Sequence, residues 1–199
     1  MIPGVTTLSR NSVRIIGGGW RGRRVNFPDI PGLRPTPDRV RETLFNWLQH
    51  DIVGSRCLDL FAGSGVLGLE ALSRGARELV FVEQAVAAAR GLKDQLIRLG
   101  GEVKGQVIEM GAARFLRVPA ANFDIAFLDP PFGRGFLAEY VPMLDAGDWL
   151  KVGGLVYLEN ERGAGAPVLP PHWDLLKSKA AGEVGYHLAR VNARAQVNA

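Results

Sequence analysis

The sequence holds a single cysteine, Cys57, among 199 residues. One cysteine excludes an intramolecular disulfide and any cysteine-based zinc cluster, and it fits a reducing cytosol. Cys57 lies in an apolar run and is expected in the core. No segment approaches the ~20 uninterrupted apolar residues of a membrane span, and residues 1–10 lack the apolar stretch of a secretory signal. A soluble, cytoplasmic protein without membrane association is therefore expected. Nothing indicates a coiled coil or a large exposed apolar face, so a monomer is the expectation.

Lysine is missing from residues 1–50, which carry eight arginines (10, 14, 21, 23, 24, 34, 39 and 41) against three acids, Asp29, Asp38 and Glu42. This segment has a net charge of +5 while the whole chain has +4, so the remaining residues sum to −1. Arginine without lysine favours bidentate contacts to phosphate over diffuse charge. Trp20 and Phe27 interleave with these arginines, which favours a polyanionic, nucleic-acid partner over a merely solvated face.

What is present in quantity is apolar sequence, 47% of the chain. A chain of this length can bury roughly 70% of the surface its unfolded form exposes, enough for one main domain with an appendage. The boundary is expected near residue 50. Short extended runs at 13–16 and 23–27 flank Gly17-Gly18-Gly19 and Gly22, which predicts a β-hairpin. Thr36 is a plausible N-cap with Pro37 at the first helical position, and Val40, Leu44, Trp47 and Leu48 recur at helical spacing through Gln49. Residues 1–50 are thus expected to form a nucleic-acid-binding extension, and residues 51–199 the main domain.

From Arg56 onward the pattern alternates. Strands are expected at 56–60, 78–83, 104–109, 123–128 and 154–159, with helices at about 65–74, 85–99, 111–117 and 135–146. Such alternation predicts an α/β fold with a mostly parallel sheet covered on both faces. Residues 173–179 and 184–191 flank Ala180-Ala181-Gly182-Glu183, a hairpin that adds an antiparallel edge.

Two motifs carry chemistry. Gly63, Gly65 and Gly68 satisfy G-x-G-x-x-G, with Glu83 at the end of the next strand, where an acid can hold ribose hydroxyls. Asp59 precedes Gly63 by four residues and can accept from an ammonium group. A dinucleotide pyrophosphate gains nothing from a carboxylate there, whereas the amino-acid end of S-adenosylmethionine (SAM) does. The second motif is Asp129-Pro130-Pro131-Phe132 after a strand. Prolines that end a strand need no function, but they leave the adjoining acid and aromatic ring unexplained. If Asp129 and a carbonyl near the prolines accept the two N–H bonds of an exocyclic base amine, the nitrogen lone pair can be turned toward a methyl group. Phe132 would stack on the base, and alignment would supply the rest. This chemistry needs no metal. The base must be flipped out or single-stranded, which RNA loops satisfy cheaply.

With these residues in view, the sequence resembles the RsmD family, bacterial 16S rRNA guanine-N2 methyltransferases. The resemblance spans nearly the whole chain. It includes Arg14-Ile15-Ile16-Gly17-Gly18, Trp20-Arg21-Gly22, Leu33-Arg34-Pro35-Thr36, Asp38-Arg39-Val40-Arg41-Glu42-Thr43-Leu44-Phe45, the glycine loop through Leu72, Asp129 to Phe132, and Lys179 to Tyr186. It implies a Rossmann-like SAM-dependent methyltransferase fold with a seven-stranded sheet, and a guanine in 16S rRNA of the small ribosomal subunit as target. It also implies S-adenosylhomocysteine as product and no metal. Asp129, Pro130, Pro131 and Phe132 are the implied catalytic residues. Asp59, Phe61, Gly63, Ser64, Gly65, Glu83, Gln84 and Ala112 would bind the cofactor, and Arg14, Arg21, Arg23, Arg24, Arg34, Thr36, Arg39 and Arg41 the RNA. One departure stands out: Gly111 occupies a position where the family commonly has Asp or Asn to accept from the adenine amine. Competing readings are another amino-group methyltransferase, acting on DNA adenine or protein glutamine, and a non-enzymatic ribosome-assembly factor with a vestigial pocket. A nicotinamide-dependent oxidoreductase would leave Asp59 and the tetrapeptide without a role.

Overall fold

A computed structural model describes residues 10–30 and 35–195. Arg34, expected at the RNA, lies outside the described residues. A two-stranded antiparallel ribbon of β1 (Arg10–Arg14) and β2 (Arg24–Pro28) precedes α1 (Asp38–Trp47). The ribbon continues past β1, because Ile15 N–H donates to the Arg23 carbonyl and Gly22 N–H to the Ile15 carbonyl. Helix α1 starts without a side-chain cap, since Pro37 and not Thr36 takes the N-cap position. Thr36 therefore does not cap the helix as expected; its hydroxyl is engaged elsewhere.

The remainder is β3 (Arg56–Asp59), α2 (Val66–Ser73), β4 (Glu78–Glu83), α3 (Val86–Leu99), β5 (Gly105–Glu109), α4 (Ala112–Phe115), β6 (Phe123–Leu128), α5 (Phe136–Ala146), β7 (Leu150–Glu161), β8 (Trp173–Ala181) and β9 (Val184–Val191). Seven strands form one sheet in the order β5-β4-β3-β6-β7-β9-β8, parallel except where β9 pairs with β7 and β8. Strand β7 begins four residues before its expected start. Its first residue pairs with Phe123, and pairing resumes between Ile125 and Leu155 after a bulge containing Gly153 at φ 85°. Among the described residues, no helix is long and apolar enough to cross a membrane.

Period-two alternation divides the strand residues between two cores. Cys57, Leu79, Phe81, Ile125 and Phe127 face α1, α2 and α3, whereas Leu58, Val80, Val82, Ala126 and Leu128 face α4 and α5. The first core also takes in Ile15 and Val25 of the ribbon and Val40, Leu44 and Phe45 of α1. Gly68 lets α2 lie directly on β4, because a Cβ there would stand 2.2 Å from the Phe81 ring.

The N-terminal segment is pinned by a buried ion network. Arg41 and Glu70 are both 0% exposed. The Arg41 guanidinium donates to Glu70 Oε2 (3.1 Å), to the Thr36 carbonyl (3.1 Å), to the Arg14 carbonyl (3.0 Å) and to Asp38 (2.5 Å). Glu70 also accepts from Ile16 N–H (2.9 Å) and from Arg74 (2.9 Å). Arg41 is therefore not the RNA contact expected from sequence; every donor group of its fork is directed into the protein. Removing one partner of a buried charge network leaves the other uncompensated. Arg41→Ala is predicted to lower stability by about 3–5 kcal/mol in urea unfolding; a loss under about 1 kcal/mol would remove the network from its structural role.

Candidate functional site

The sheet reverses direction between β3 and β6: the chain builds outward through β4 and β5, then crosses back to β6 and β7. Ligands of open α/β sheets bind at the carboxyl ends of the strands at such a switch point. Asp59 ends β3, Glu83 ends β4 and Asp129 follows β6 directly. Asp59 pairs with Phe127 in parallel register, which sets Asp129 two residues beyond it on the neighbouring strand.

The Gly63–Gly65 loop is shaped for this edge. Gly63 and Gly65 have φ of 52° and 75°, left-handed values that suit glycine. A Cβ on Gly65 would meet a Leu92 methyl at 2.3 Å. Glu83 organises the loop, as Oε2 accepts Gly63 N–H (2.7 Å) and Oε1 accepts Ala85 N–H (2.6 Å). Asp59 is 2% exposed and Oδ2 accepts Gly68 N–H at 3.2 Å. Ser64 is buried in the turn; its hydroxyl accepts Val66 N–H. Phe61 packs edge-on against Tyr140 with centroids 4.9 Å apart. Ala112 is buried at the start of α4, and Gly111 before it has the ordinary φ of −72°. Gln84 is exposed, with its amide oxygen 3.7 Å from where a Gly111 side chain would begin.

Asp129 is partly buried, Pro130 is buried, and Pro131 and Phe132 are exposed, Phe132 by 40%. Thr36 Oγ1 donates to Asp129 Oδ2 at 3.3 Å. Thr36 is thus brought to the acid, 93 residues away in sequence. Sequence reasoning missed Glu159, which is 2% exposed on β7 and accepts from the Tyr157 hydroxyl at 2.8 Å. A signal existed: an acid at the end of the apolar run 155–158.

Burial pushes the Asp59 carboxyl up to about 7, against the pull of the Gly68 N–H, and the charges of Asp129 and Glu83 add to the rise. Burial likewise pushes Asp129 to about 7, opposed by hydrogen bonds from Thr36 and Glu159. Among the described residues none of Asp59, Glu83, Asp129 and Glu159 has an ion-pair partner. The site is an uncompensated negative edge beside a glycine turn, fitted to a ligand that brings positive charge and backbone-accessible groups.

The exposed arginines lie elsewhere. The turn of the ribbon docks on the far end of α2, where Gly19 N–H donates to the Ser73 carbonyl (2.7 Å) and Ser73 Oγ to the Gly17 carbonyl (2.6 Å). Arg21, Arg23 and Arg24 are exposed at this end, with Arg23 donating to the Arg98 carbonyl and Arg24 to Ser12 Oγ. Eight helical residues, about 12 Å, separate this end of α2 from the glycine loop. Arg14 and Arg39 are exposed as well.

Fold and site together define a Rossmann-like methyltransferase. The chain belongs to the RsmD family, whose family model, described as "Conserved hypothetical protein 95", matches residues 13–190. It is similar to "Ribosomal RNA small subunit methyltransferase D" of Escherichia coli, 46% identical over 94% of each chain. The Haemophilus influenzae protein of that name is 44% identical over 92% of this chain and 96% of its own. A solved Escherichia coli structure, described as a candidate methyltransferase, superposes with a TM-score of 0.86 at 43% identity, covering 92% of this chain and all of that one.

Asp59 yields a prediction for the ligand-free protein. A carboxyl raised from 3.8 to about 7 binds its proton more tightly folded than unfolded. Its stabilising contribution is complete below pH 3.8 and is lost as pH rises through about 7. At pH 8 the ionised group opposes folding, so Asp59→Asn should raise the calorimetric unfolding midpoint at pH 8 and do so less at pH 5. A gain equal at both pH values would contradict the buried charge.

Proposed function

We propose that this protein transfers the methyl group of SAM to the exocyclic N2 amine of a guanine in 16S rRNA, within the small ribosomal subunit. The observation that carries this reading is the position of Asp129-Pro130-Pro131-Phe132 at the switch point, beside the Asp59, Gly63, Gly65 and Glu83 edge. The similarity to proteins named for ribosomal RNA of the small subunit supplies the substrate class, and family resemblance the finer target, guanine 966.

SAM supplies an electrophilic methyl on a sulfonium together with an ammonium group, which suits an edge of unpaired carboxylates. Asp59 takes the ammonium, directly or through water. Glu83 receives the ribose hydroxyls through the lone pairs that Gly63 and Ala85 leave free, and Gly63, Ser64 and Gly65 allow close approach of the backbone. Phe61 and the start of α4 at Ala112 wall the adenine. Gln84 reaches the place of the side chain that Gly111 lacks, and its amide oxygen can accept from the adenine amine.

On the substrate side, Asp129 and a carbonyl at Pro130 or Pro131 accept the two N–H bonds of the guanine amine, directing its lone pair toward the methyl. Exposed Phe132 stacks on the base. As the C–S bond breaks and the N–C bond forms, the nitrogen sheds one proton, and Asp129, titrating near neutrality, is placed to receive it. S-adenosylhomocysteine leaves as product. Residues 1–50 form the RNA-binding extension, with the exposed Arg14, Arg21, Arg23, Arg24 and Arg39 gripping phosphates. An rRNA substrate places the protein in the cytoplasm.

Two measurements test the reading. Asp129→Ala should abolish methyl transfer from labelled SAM to unmodified small subunits, by at least about a hundredfold, with SAM affinity unchanged by calorimetry. Near-normal single-turnover rates would refute the amine-holding role. Absence of SAM binding by the unaltered protein would favour an assembly factor instead. Replacing Arg21, Arg23 and Arg24 together should weaken subunit binding, reducing the log-log salt slope by about 0.7–0.9 per lost contact. Stability should move by no more than about 0.5 kcal/mol for each exposed site. A large stability loss with unchanged RNA affinity would make them props for the ribbon.

A further inference from the structure

Glu159 has no place in the chemistry above, yet it stands next to Asp129. Leu128 of β6 pairs with Leu158 of β7, so the two acids leave adjacent parallel strands side by side. Asp129 shares the parity of Phe127 and Glu159 that of Tyr157, and both aromatic residues face the α1 side of the sheet. Glu159 is 2% exposed and Asp129 more open. The two carboxyl groups thus occupy neighbouring positions on one face of the sheet, and Thr36 Oγ1 donates to Asp129 Oδ2. Tyr157, fully buried, donates its hydroxyl to Glu159 Oε1.

Two carboxyl groups at this separation in a buried site do not both ionise; one proton stays with the pair. It resides on Glu159, the deeper of the two, whose carboxyl is raised well above its ordinary range by burial and then by the charge of Asp129. The hydrogen bond from Tyr157 occupies Oε1, leaving Oε2 to carry the proton. The other groups facing the pair are Asp59 beyond Asp129 and Tyr186, opposite Glu159 on β9. Neither supplies positive charge to compete for the carboxylate.

We propose that Glu159 is a positioning residue for the transfer, donating a hydrogen bond from its neutral carboxyl to the Asp129 carboxylate and, with Thr36, fixing the orientation in which that carboxylate receives the amine of the base. The inference rests on the methyltransferase reading for its consequence in catalysis, but the contact with Asp129 is testable without substrate. Orientation held before the base arrives need not be established at the moment of reaction.

Glu159→Gln preserves a donor toward Asp129 and an acceptor for Tyr157, whereas Glu159→Leu removes both. In single-turnover transfer to unmodified small subunits at saturating SAM, Gln is expected within about threefold of the unaltered protein and Leu slower by about thirtyfold or more. SAM affinity should be unchanged in both. The acid limb of the pH–rate profile, set by Asp129, should move up by about one unit in Leu and stay in place in Gln. The Asp129 carboxyl titration in the ligand-free protein, followed by carbon-13 NMR, should move the same way. Should Leu fail to fold, Tyr157→Phe tests the same chain, with an expected loss of about threefold to tenfold at unchanged SAM affinity. An unaltered rate and acid limb in Leu, or in Tyr157→Phe where it stands in, would overturn the proposal. So would a Gln variant as slow as Leu, which would require an ionised Glu159. If the Asp129 titration responds as stated while the unaltered protein transfers no methyl to RNA, the methyltransferase reading has failed and the contact between the acids has not.

Discussion

A carboxylate with no exposed surface, Glu70 on α2, holds together the ribbon, α1 and the end of its own helix. It accepts from Ile16 after the ribbon strand β1, from Arg41 on α1 and from Arg74 just past its own helix. Arg41 in turn grips the carbonyls of Arg14 and Thr36. Each of these groups is polar and out of water, so each depends on the others for its hydrogen bonds, and loss of one leaves several unsatisfied. Gly17 and Gly18 allow the approach, since a Cβ on either would run into Arg74 or the Ser73 carbonyl at about 2 Å. The apolar contacts of Val40, Leu44 and Phe45 make the docking favourable; the Glu70 network sets its register.

At the opposite end of α2 the electrostatics are reversed. The Glu70 charge is balanced by two guanidinium groups, whereas Asp59 and Asp129, at the ends of neighbouring strands, have no cation among the described residues for relief. One helix therefore joins a satisfied charge cluster at the edge where the extension docks to an unsatisfied one at the carboxyl edge of the sheet. Groups left poised in this way identify functional sites because stability alone would select against them.

The sheet was legible because its signals are local and periodic. The alternating apolar runs, the G-x-G-x-x-G spacing and the acid-proline-proline turn each reside within ten residues, and the strands they imply are the strands present. The three acids at the carboxyl edge follow from strand ends alone. Thr36 and Arg41 were misread for a shared reason. Threonine before proline resembles a helix cap and arginine in a basic arm resembles a phosphate contact, but each is claimed by a partner 93 or 29 residues away. Burial of a charged side chain is a tertiary fact, and an isolated Glu70 in an apolar helix was the available hint that a cation had to be buried opposite it. Glu159 escaped notice because its strand carries no motif and its importance arises from lying next to β6, an adjacency fixed by the crossover of the sheet.

The same geometry explains why the extension cannot be regarded as a mere handle for RNA. Arg41 holds the carbonyl of Thr36 while the Thr36 hydroxyl reaches Asp129, so one residue connects the buried ion network to the acid at the switch point. The ribbon's exposed arginines sit at the other end of α2, near Ser73 and Arg98. Between that end and the carboxyl edge lie α1, α2 and α3, all packed in one core with β3 and β6. The exposed arginines and the acidic edge thus lie toward opposite ends of α2. The same N-terminal segment supplies a hydroxyl to Asp129, so the acid at the switch point is complete only when the extension is in place.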